Sequence, residues 1–193
     1  LLSGFRFFKF NKFETVKNLF DECEKNNQNI SGILIEPIQG EGGVVPGDKN
    51  FFHKVREICN KKNSLLIFDE VQSGVGRTGK MWGYENLGIE PDGFTLAKGL
   101  GGGHAIGSLL VGKKANLFMP GDHASTFGGN PFACTAALTI LNEIKRRNLL
   151  HNVLMRSKEL EEGLSIIARV YSNIIIGHRG IGLLQGIVLN EEI

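Results

Sequence analysis

The sequence predicts an α/β protein in which a larger domain with a mostly parallel sheet, residues 1–147, precedes the start of a small α+β domain, residues 148–193. Two observations support this fold class. Short, continuously apolar segments flank a segment of helical periodicity, which is typical of β-α-β units in buried parallel sheets. In addition, the 26 glycines cluster beside the apolar segments, where strands are expected to end in tight turns.

The first elements follow from these patterns in chain order. Buried strands are predicted at residues 32–36, 65–69, 93–97 and 106–111. Between the first two strands, residues 51–63 have the apolar spacing of a helix that packs through one face. Because the first two strands are apolar without alternation, we expect a parallel sheet that is covered on both faces. The Phe-rich start, FRFFKFNKF, is interpreted as core and interface packing.

Two long helices and a last strand complete the prediction. Residues 131–147 form the first of these helices, because Asn130 is a good cap and Pro131 suits the first helical position. Residues 152–168 have the pattern of the second helix. Residues 182–190 are predicted to be a strand, for which the sequence indicates no partner.

The composition excludes several classes of function. Hydrophobic residues make up 41% and charged residues 22% of the 193 residues, and the net charge is only +2. These values are typical of a globular protein and not of one that binds nucleic acid or a membrane surface. No apolar run approaches the ~18–20 residues that span a bilayer, and the first residues do not resemble a secretion signal. We therefore expect a small-molecule partner.

The three cysteines bear on disulfide bonds, metal sites and cellular location. Cys23, Cys59 and Cys134 are far apart and include no C-x-x-C. Neither a disulfide framework nor a zinc site is indicated, and no other metal site is predicted. This pattern favours a reducing, cytoplasmic location. An organellar location stays open, because the sequence does not begin with Met.

Residues 65–81, LLIFDEVQSGVGRTGKM, combine two signals of nucleotide binding. Asp69 and Glu70 after an apolar strand imitate the magnesium-binding strand of a P-loop ATPase, and GVGRTGK fits G-x-x-x-x-G-K. A P-loop opens a helix and has Ser or Thr after its Lys, whereas Met81 and a stretch rich in Gly and Pro follow here. The glycines also fit a dinucleotide-binding fingerprint. That motif requires a helix after the glycines as well, so this interpretation is rejected for the same reason. A P-loop ATPase therefore remains only as the alternative from a different class.

Asp69 and Lys98 point to another chemistry. Both residues follow predicted strands, and the carboxyl ends of neighbouring parallel strands form the ligand cleft of an open α/β sheet. A lysine buried beside bare glycine backbone has a lowered pKa, and its neutral amine can form a Schiff base with an aldehyde. Pyridoxal 5'-phosphate (PLP) is the aldehyde cofactor that fits, because its pyridine nitrogen needs a carboxylate partner. Asp69 supplies that carboxylate.

Three motifs together resemble a known family. FDEVQSGVGRTGK, then LAKGLGGG, then STFGGNP occur in the order and spacing of the class III, ornithine-type PLP aminotransferases. The resemblance extends over almost the whole chain and implies the PLP-dependent transferase fold of type I. By this resemblance the catalytic residues are Lys98, which bonds the cofactor and moves the proton, and Asp69, which pairs with the pyridinium nitrogen. Val71 would pack against one face of the cofactor ring, and Gln72 would hydrogen-bond its phenolic oxygen.

The resemblance also assigns residues outside the strand ends. Ser125 and Thr126 would bind the phosphate of the neighbouring subunit, so that a homodimer shares its active sites. Glu41, in EPIQGEGG, matches a substrate-side glutamate that pairs with a mobile arginine. Plainer interpretations stay open, because Gly-rich loops often carry an exposed acid, and Asp69-Glu70 also fits a strand-end pair satisfied by backbone N–H groups.

The segment PGDHASTFGGNP is most similar to family members that act on N-acetylornithine. The implied enzyme transfers the terminal amino group of this donor to 2-oxoglutarate in arginine biosynthesis. Ornithine, succinylornithine and 4-aminobutyrate are the alternative donors. Family members are much longer, so the chain is expected to be a fragment that lacks other parts of the cofactor site.

Overall fold

The computed structural model describes residues 3–190 of the protein. Over this range the chain forms four α-helices and eight strands, together with short 3-10 turns. The elements are α1 (Phe13–Lys25), β1 (Gly32–Ile35), β2 (Ile38–Gln39), β3 (Val45–Pro46), α2 (Lys49–Lys61), β4 (Leu65–Asp69), β5 (Gly93–Leu96), β6 (Ser108–Val111), α3 (Pro131–Arg146), α4 (Leu149–Val170), β7 (Ile175–Ile181) and β8 (Leu184–Leu189).

The main sheet has the strand order β1-β4-β5-β6. The first three strands are parallel, and β6 runs antiparallel to β5. This arrangement confirms the predicted mostly parallel sheet. Asp69, the last residue of β4, is the register partner of Thr95 in β5. The carboxyl ends of β4 and β5 therefore meet at one edge of the sheet.

Helices α1 and α2 cover one face of the sheet. The core between them includes Phe20, Phe52, Leu66 and Phe68, all buried. The opposite face is exposed at β1, where Leu34 is 63% exposed, and partly buried at β4. The expectation of a sheet covered on both faces is therefore wrong for the described residues, because alternate side chains of β1 are buried and exposed. Its apolar run alone does not reveal this alternation.

Local capping explains where two of the helices begin. The Asp48 side chain accepts a hydrogen bond from the Phe51 N–H at 2.7 Å at the start of α2. At the start of α3, the Asn130 side chain accepts one from the Ala133 N–H at 2.9 Å, and Pro131 is the first helical residue. Such caps satisfy N–H groups that have no partner within the helix. The predicted start of α3 is confirmed.

Helix α1 is absent from the sequence-based prediction. Its spacing of Phe13, Val16 and Phe20 is helical, and the last two side chains are buried. The phenylalanines before it are divided, since Phe8 packs against the core while Phe5 is 66% exposed. The expected core packing of this Phe-rich start therefore applies to part of it.

The last predicted strand pairs with a strand that the sequence analysis does not contain. It is shortened to β8, which forms an antiparallel hairpin with β7. Gly182 in the hairpin turn has φ +63°, and a Cβ there would lie 2.6 Å from the Thr78 backbone. The neighbouring Leu183 N–H donates to the Arg77 carbonyl at 3.0 Å. Only glycine permits this close approach of two backbones.

The helices α3 and α4 meet at Asn148, which has a left-handed backbone with φ 50°. The proposed domain boundary lies here, and the described part of the second domain ends at Asn190. The division of the chain at this point stays a prediction. None of the helices within residues 3–190 combines the length and apolar character needed to cross a membrane.

Candidate active site

Asp69 is held at the sheet edge by groups from two strands. Its Oδ1 accepts hydrogen bonds from the Val71 N–H at 3.0 Å and from the Thr95 hydroxyl at 3.2 Å. The carboxylate is partly buried, and its Oδ2 accepts no hydrogen bond from any residue that the structure describes. One carboxylate oxygen is thus fixed by the protein, while the other is available to a cationic ligand.

Lys98 follows β5 at the same edge and has an unusual backbone. Its φ of 41° lies in the left-handed region, which non-glycine residues seldom occupy and which is enriched at functional sites. The side chain is exposed, so the expected burial of this lysine is wrong for the described structure. The physical reason is that Lys98 and Gly99 border a cavity that is open to solvent.

This cavity has a volume of about 440 Å³ and joins three of the predicted residues. Lys98, Val71 and Gln72 line one part of it. The remaining wall comes from the glycine turn after Gln72, the junction of α3 with α4, and the hairpin turn between β7 and β8. Lys98 also lines a second cavity of about 650 Å³, which extends to Phe127 and Gly128.

Glu41 is linked to the same group through Gln72. The Gln72 side-chain N–H donates to Glu41 Oε1 at 3.3 Å. Glu36 supports the loop that carries Glu41, because its Oε2 accepts a hydrogen bond from the Gly40 N–H at 2.9 Å. The hairpin contacts this loop as well, through a 2.9 Å hydrogen bond from Arg179 to the Gly43 carbonyl.

Glu70, which the sequence indicates only as one half of the Asp69-Glu70 pair, is a buried residue next to the site. Its side chain is 1% exposed, and its two oxygens accept hydrogen bonds from the Ser73 hydroxyl, the Gly83 N–H and the Tyr84 N–H. Burial raises the pKa of Glu70, although these hydrogen bonds act in the opposite direction. The plainer interpretation of a strand-end pair satisfied by backbone N–H groups therefore describes Glu70 and applies in part to Asp69, which accepts the Val71 N–H.

Ser125 and Thr126 lie in the loop that precedes α3. Both side chains are exposed, and Ser125 Oγ accepts a hydrogen bond from the Gly128 N–H at 2.9 Å. Within residues 3–190, no hydrogen bond joins either side chain to Asp69 or the residues around it. The adjacent Phe127 is 81% exposed. The same loop nevertheless borders the Lys98 region, because Phe127 and Gly128 line the cavity of about 650 Å³ together with Lys98.

The segment GVGRTGK has no P-loop geometry. Residues 74–80 form consecutive turns, and the next regular element is the 3-10 turn Gly83–Asn86. Without a helix after the glycines, there is no helix N-terminus to bind phosphate. Instead, the turn packs against α4, where Gly79 lies against Leu154. The objection to a P-loop is confirmed.

The cysteines have no visible role at the site. All three are free, with Cys23 partly exposed, Cys59 buried and Cys134 exposed. Burial raises the pKa of the Cys59 thiol to about 11, so this group is neutral at physiological pH and belongs to the core. Among residues 3–190, no three His, Cys, Asp or Glu side chains come together as a metal site requires.

Asp69 ends β4 and Lys98 follows β5 at the carboxyl edge of the parallel strands, which is where open α/β sheets bind their ligands. Comparison with known proteins makes the class specific. The chain belongs to the class III aminotransferases, since the sequence model of that family matches residues 8–193. The family predicted from the three motifs is thereby confirmed.

Individual relatives agree with this assignment. An acetylornithine aminotransferase of Prochlorococcus marinus subsp. pastoris is 70% identical over 192 residues, which cover 100% of this chain and 46% of the relative. The crystal structure of the Stenotrophomonas maltophilia N-acetylornithine aminotransferase has a TM-score of 0.84 and 34% identity, covering 100% of this chain and 49% of that one. These similarities confirm the predicted fold. The chain spans less than half the length of the relatives that it matches.

A further structural neighbour is named for a different substrate, free ornithine. An ornithine aminotransferase of Toxoplasma gondii has a TM-score of 0.84 and 30% identity, covering 100% of this chain and 44% of that one. That structure is described as having partial occupancy of PLP at its active site. The same fold therefore occurs in proteins named for acetylated and for free ornithine.

Proposed function

We propose that the full-length protein is a PLP-dependent aminotransferase that transfers the terminal amino group of N-acetylornithine to 2-oxoglutarate. The observation that supports this proposal is the position of Asp69 at the end of β4 and of Lys98 just after the neighbouring strand β5, in a class III chain. The 70% identity to an acetylornithine aminotransferase favours the acetylated donor.

The described residues fit the chemical groups of PLP. Asp69 keeps Oδ2 available for a protonated pyridine nitrogen, while Oδ1 is held by Val71 and Thr95. Lys98 provides an amine for the aldehyde, and both Val71 and Gln72 line the cavity beside it. Gln72 has an amide donor suited to the phenolic oxygen. These donors and acceptors match PLP better than a nucleotide, which would need a phosphate-binding helix N-terminus.

The chemistry that bound PLP supplies is an electron sink for the substrate carbon that carries the reacting amine. Lys98 has two tasks in this proposal. At rest its Nζ would bond the cofactor aldehyde with loss of water, and once the substrate amine has displaced it, the freed Nζ would hold the proton removed from the substrate carbon. Asp69 keeps the pyridine nitrogen protonated, because an adjacent negative charge favours the charged form. Val71 and Gln72 orient the cofactor ring.

Glu41 is proposed to act on the substrate side. Its exposed carboxylate sits on a glycine-rich loop and already accepts a hydrogen bond from Gln72. A carboxylate at this place can pair with a cationic side chain or a substrate ammonium group. Through its hydrogen bond to Gln72, a movement of the Glu41 side chain would also shift the loop that carries Gln72.

Ser125 and Thr126 are proposed to bind the cofactor phosphate of a partner subunit in a homodimer. Two facts support this arrangement. Their side chains are exposed, and neither side chain forms a hydrogen bond with the described strand-end residues. A hydroxyl group and nearby backbone N–H groups can donate together to a phosphate.

Ornithine is the second candidate donor, because a structural neighbour at 30% identity is an ornithine aminotransferase. Succinylornithine and 4-aminobutyrate are the other donors to compare. The test measures glutamate formation from 2-oxoglutarate by the purified full-length protein with each of the four donors. We expect the highest kcat/KM with N-acetylornithine. A higher kcat/KM with another donor would reassign the substrate, and no transamination with any donor would refute the proposed function.

A further inference from the structure

The loop that carries the proposed ring-binding residues is tied together at its two ends by one buried carboxylate. The loop leaves β4 at Glu70 and returns to the core at Gly83 and Tyr84. Glu70 Oε2 accepts hydrogen bonds from the Ser73 hydroxyl at 2.6 Å and from the Gly83 N–H at 2.8 Å. Glu70 Oε1 accepts one from the Tyr84 N–H at 2.6 Å. Val71 and Gln72 lie inside this closed loop.

The backbone of Glu70 is fixed as well. Its N–H donates to the Thr95 carbonyl of β5 at 3.1 Å, and the Thr95 hydroxyl donates to Asp69 at 3.2 Å. The space around the carboxylate is filled, because a Cβ at Gly83 would lie 2.8 Å from Glu70 Oε2 and 2.7 Å from the Ser73 side chain. The carboxylate thus connects the sheet edge to the far end of the loop, and the filled space around it leaves no room for it to move.

We propose that Glu70 is a positioning residue of the active site, whose carboxylate fixes Val71 and Gln72 and thereby the orientation of the cofactor ring. The inference rests on the proposed function, because it assigns the ring contacts to these two residues. Glu70 itself acts through the loop and touches neither cofactor nor substrate.

The acceptor pattern explains why a carboxylate is needed at this position. All three donors point at Glu70, and they use both of its oxygens. A glutamine has only one acceptor oxygen, so Glu70→Gln places an NH₂ group against at least one N–H donor. A buried donor without an acceptor is costly, and the least costly response is a shift of the loop.

Glu85 offers a matched control in the 3-10 turn that follows the loop. It is exposed, and its Oε2 accepts one hydrogen bond, from the Trp82 N–H at 2.8 Å. Because a single acceptor oxygen suffices there, Glu85→Gln preserves the contact while removing a negative charge. The two substitutions are chemically identical, but only Glu70→Gln disturbs a carboxylate that uses both oxygens.

The experiment compares both variants as full-length, PLP-loaded proteins. At saturating PLP we expect Glu70→Gln to lower kcat about 10- to 100-fold, because small misplacements of a reacting group have effects of this size. A hydrogen bond from Gln72 would stabilise the charged, deprotonated phenolic oxygen of the cofactor. Displacement of this donor should therefore raise the pH midpoint of the cofactor's visible absorption band. We expect Glu85→Gln to stay within about 2-fold of the wild-type kcat, with the wild-type midpoint.

A double-variant cycle separates positioning from general destabilisation. In a Gln72→Ala background, we expect Glu70→Gln to lower kcat less than it does in the wild type, because the donor that it positions is gone. An equal fold-loss in both backgrounds with an unmoved absorption midpoint would overturn the inference. A wild-type enzyme without transamination activity would refute the proposed function instead.

Ser73→Ala keeps the inference testable if Glu70→Gln does not fold. This variant removes one of the three donors and leaves the buried carboxylate with two. We expect a smaller upward shift of the same absorption midpoint and a smaller fall in kcat. A Ser73→Ala enzyme with wild-type kcat and midpoint would overturn the inference in that case.

Discussion

The sheet edge at Asp69 and the loop at residues 116–130 both carry predicted site residues, but they differ in how far those side chains are held in place. At the strand ends, Asp69 is fixed by hydrogen bonds from Val71 and Thr95, next to the buried Glu70. In the loop, the side chains of Ser125 and Thr126 are exposed beside an 81% exposed Phe127.

This difference concerns what holds each group in place. The Asp69 carboxylate is held by hydrogen bonds within its own chain, from Val71 and from Thr95 of the neighbouring strand. The loop contains local hydrogen bonds, such as that from the Met119 N–H to Asp122 at 2.7 Å, but none to the strand-end residues within the described part of the chain. The comparison therefore predicts that substitutions at the strand ends lower kcat strongly. Substitutions in the loop should have smaller effects, and these should act on the site of the partner subunit.

The largest effect is expected from Lys98→Ala. Without its amine, the full-length enzyme loses both the bond to the cofactor and the group that moves the proton, so we expect kcat to fall by about 1,000-fold or more. Lys98→Arg should be equally inactive, because a guanidinium stays protonated and cannot bond the aldehyde. Glutamate formation at saturating substrates measures both variants. Activity of Lys98→Ala within 10-fold of wild type would contradict the assigned role.

Asp69→Asn should have the next largest effect. Asparagine keeps an acceptor for Val71 and Thr95 but removes the charge that holds the pyridine nitrogen protonated, and we expect kcat to fall about 100- to 1,000-fold. Asp122→Asn in the loop is the control, since one acceptor oxygen preserves its contact with Met119. If both variants had similar activity, the contrast between the two regions would disappear.

Thr126→Ala should weaken PLP binding without abolishing activity. Loss of one hydroxyl donor to a phosphate is expected to raise the Kd for PLP about 10-fold, while kcat at saturating PLP changes less. Titration of the enzyme with PLP, followed by its visible absorption, measures the Kd. An unchanged Kd would remove Thr126 from the cofactor site.

Mixed dimers test whether Thr126 acts across the subunit interface. If it does, a dimer of one Lys98→Ala and one Thr126→Ala subunit contains one site with both residues intact. Mixing and re-association of the two variants should then restore activity at limiting PLP. If Thr126 serves its own subunit, every active site in the mixture carries a defect, and no such recovery occurs.

The smallest effect is expected from Lys80→Ala. Lys80 is an exposed residue of a glycine turn that has no P-loop geometry, so kcat and the Kd for PLP should stay within about 2-fold of wild type. The same variant addresses the alternative from a different class. ATP hydrolysis that is present in the wild type and lost in Lys80→Ala would favour the P-loop ATPase.

Much of the strand-end region could be predicted from the sequence, because its signals are local. The apolar run before Asp69 predicted β4 with its observed bounds, and Asn130-Pro131 predicted the first residue of α3. Lys98 and Asp69 were expected at the same sheet edge because parallel strands align their carboxyl ends. The register partner of Asp69 in β5 agrees with that argument.

Other features depend on tertiary contacts that no local pattern contains. Glu70 looks like any charged residue after a strand, and its burial depends on Gly83 and Tyr84 folding back onto it. The pairing of β7 with β8 was missed because glycines and a central His178-Arg179 interrupt the apolar pattern of β7. The exposure of Lys98 reflects a cavity formed by several distant segments, including α4 and the hairpin.

The most direct test of the account is to identify the lysine that bonds the cofactor. The full-length protein is loaded with PLP, reduced with borohydride and digested, and the modified peptide is sequenced by mass spectrometry. We expect a single cofactor adduct, on Lys98, that is absent from the Lys98→Ala variant. An adduct on another lysine, such as Lys80, or no adduct on a protein that binds PLP, would contradict the assignment of Lys98 opposite Asp69.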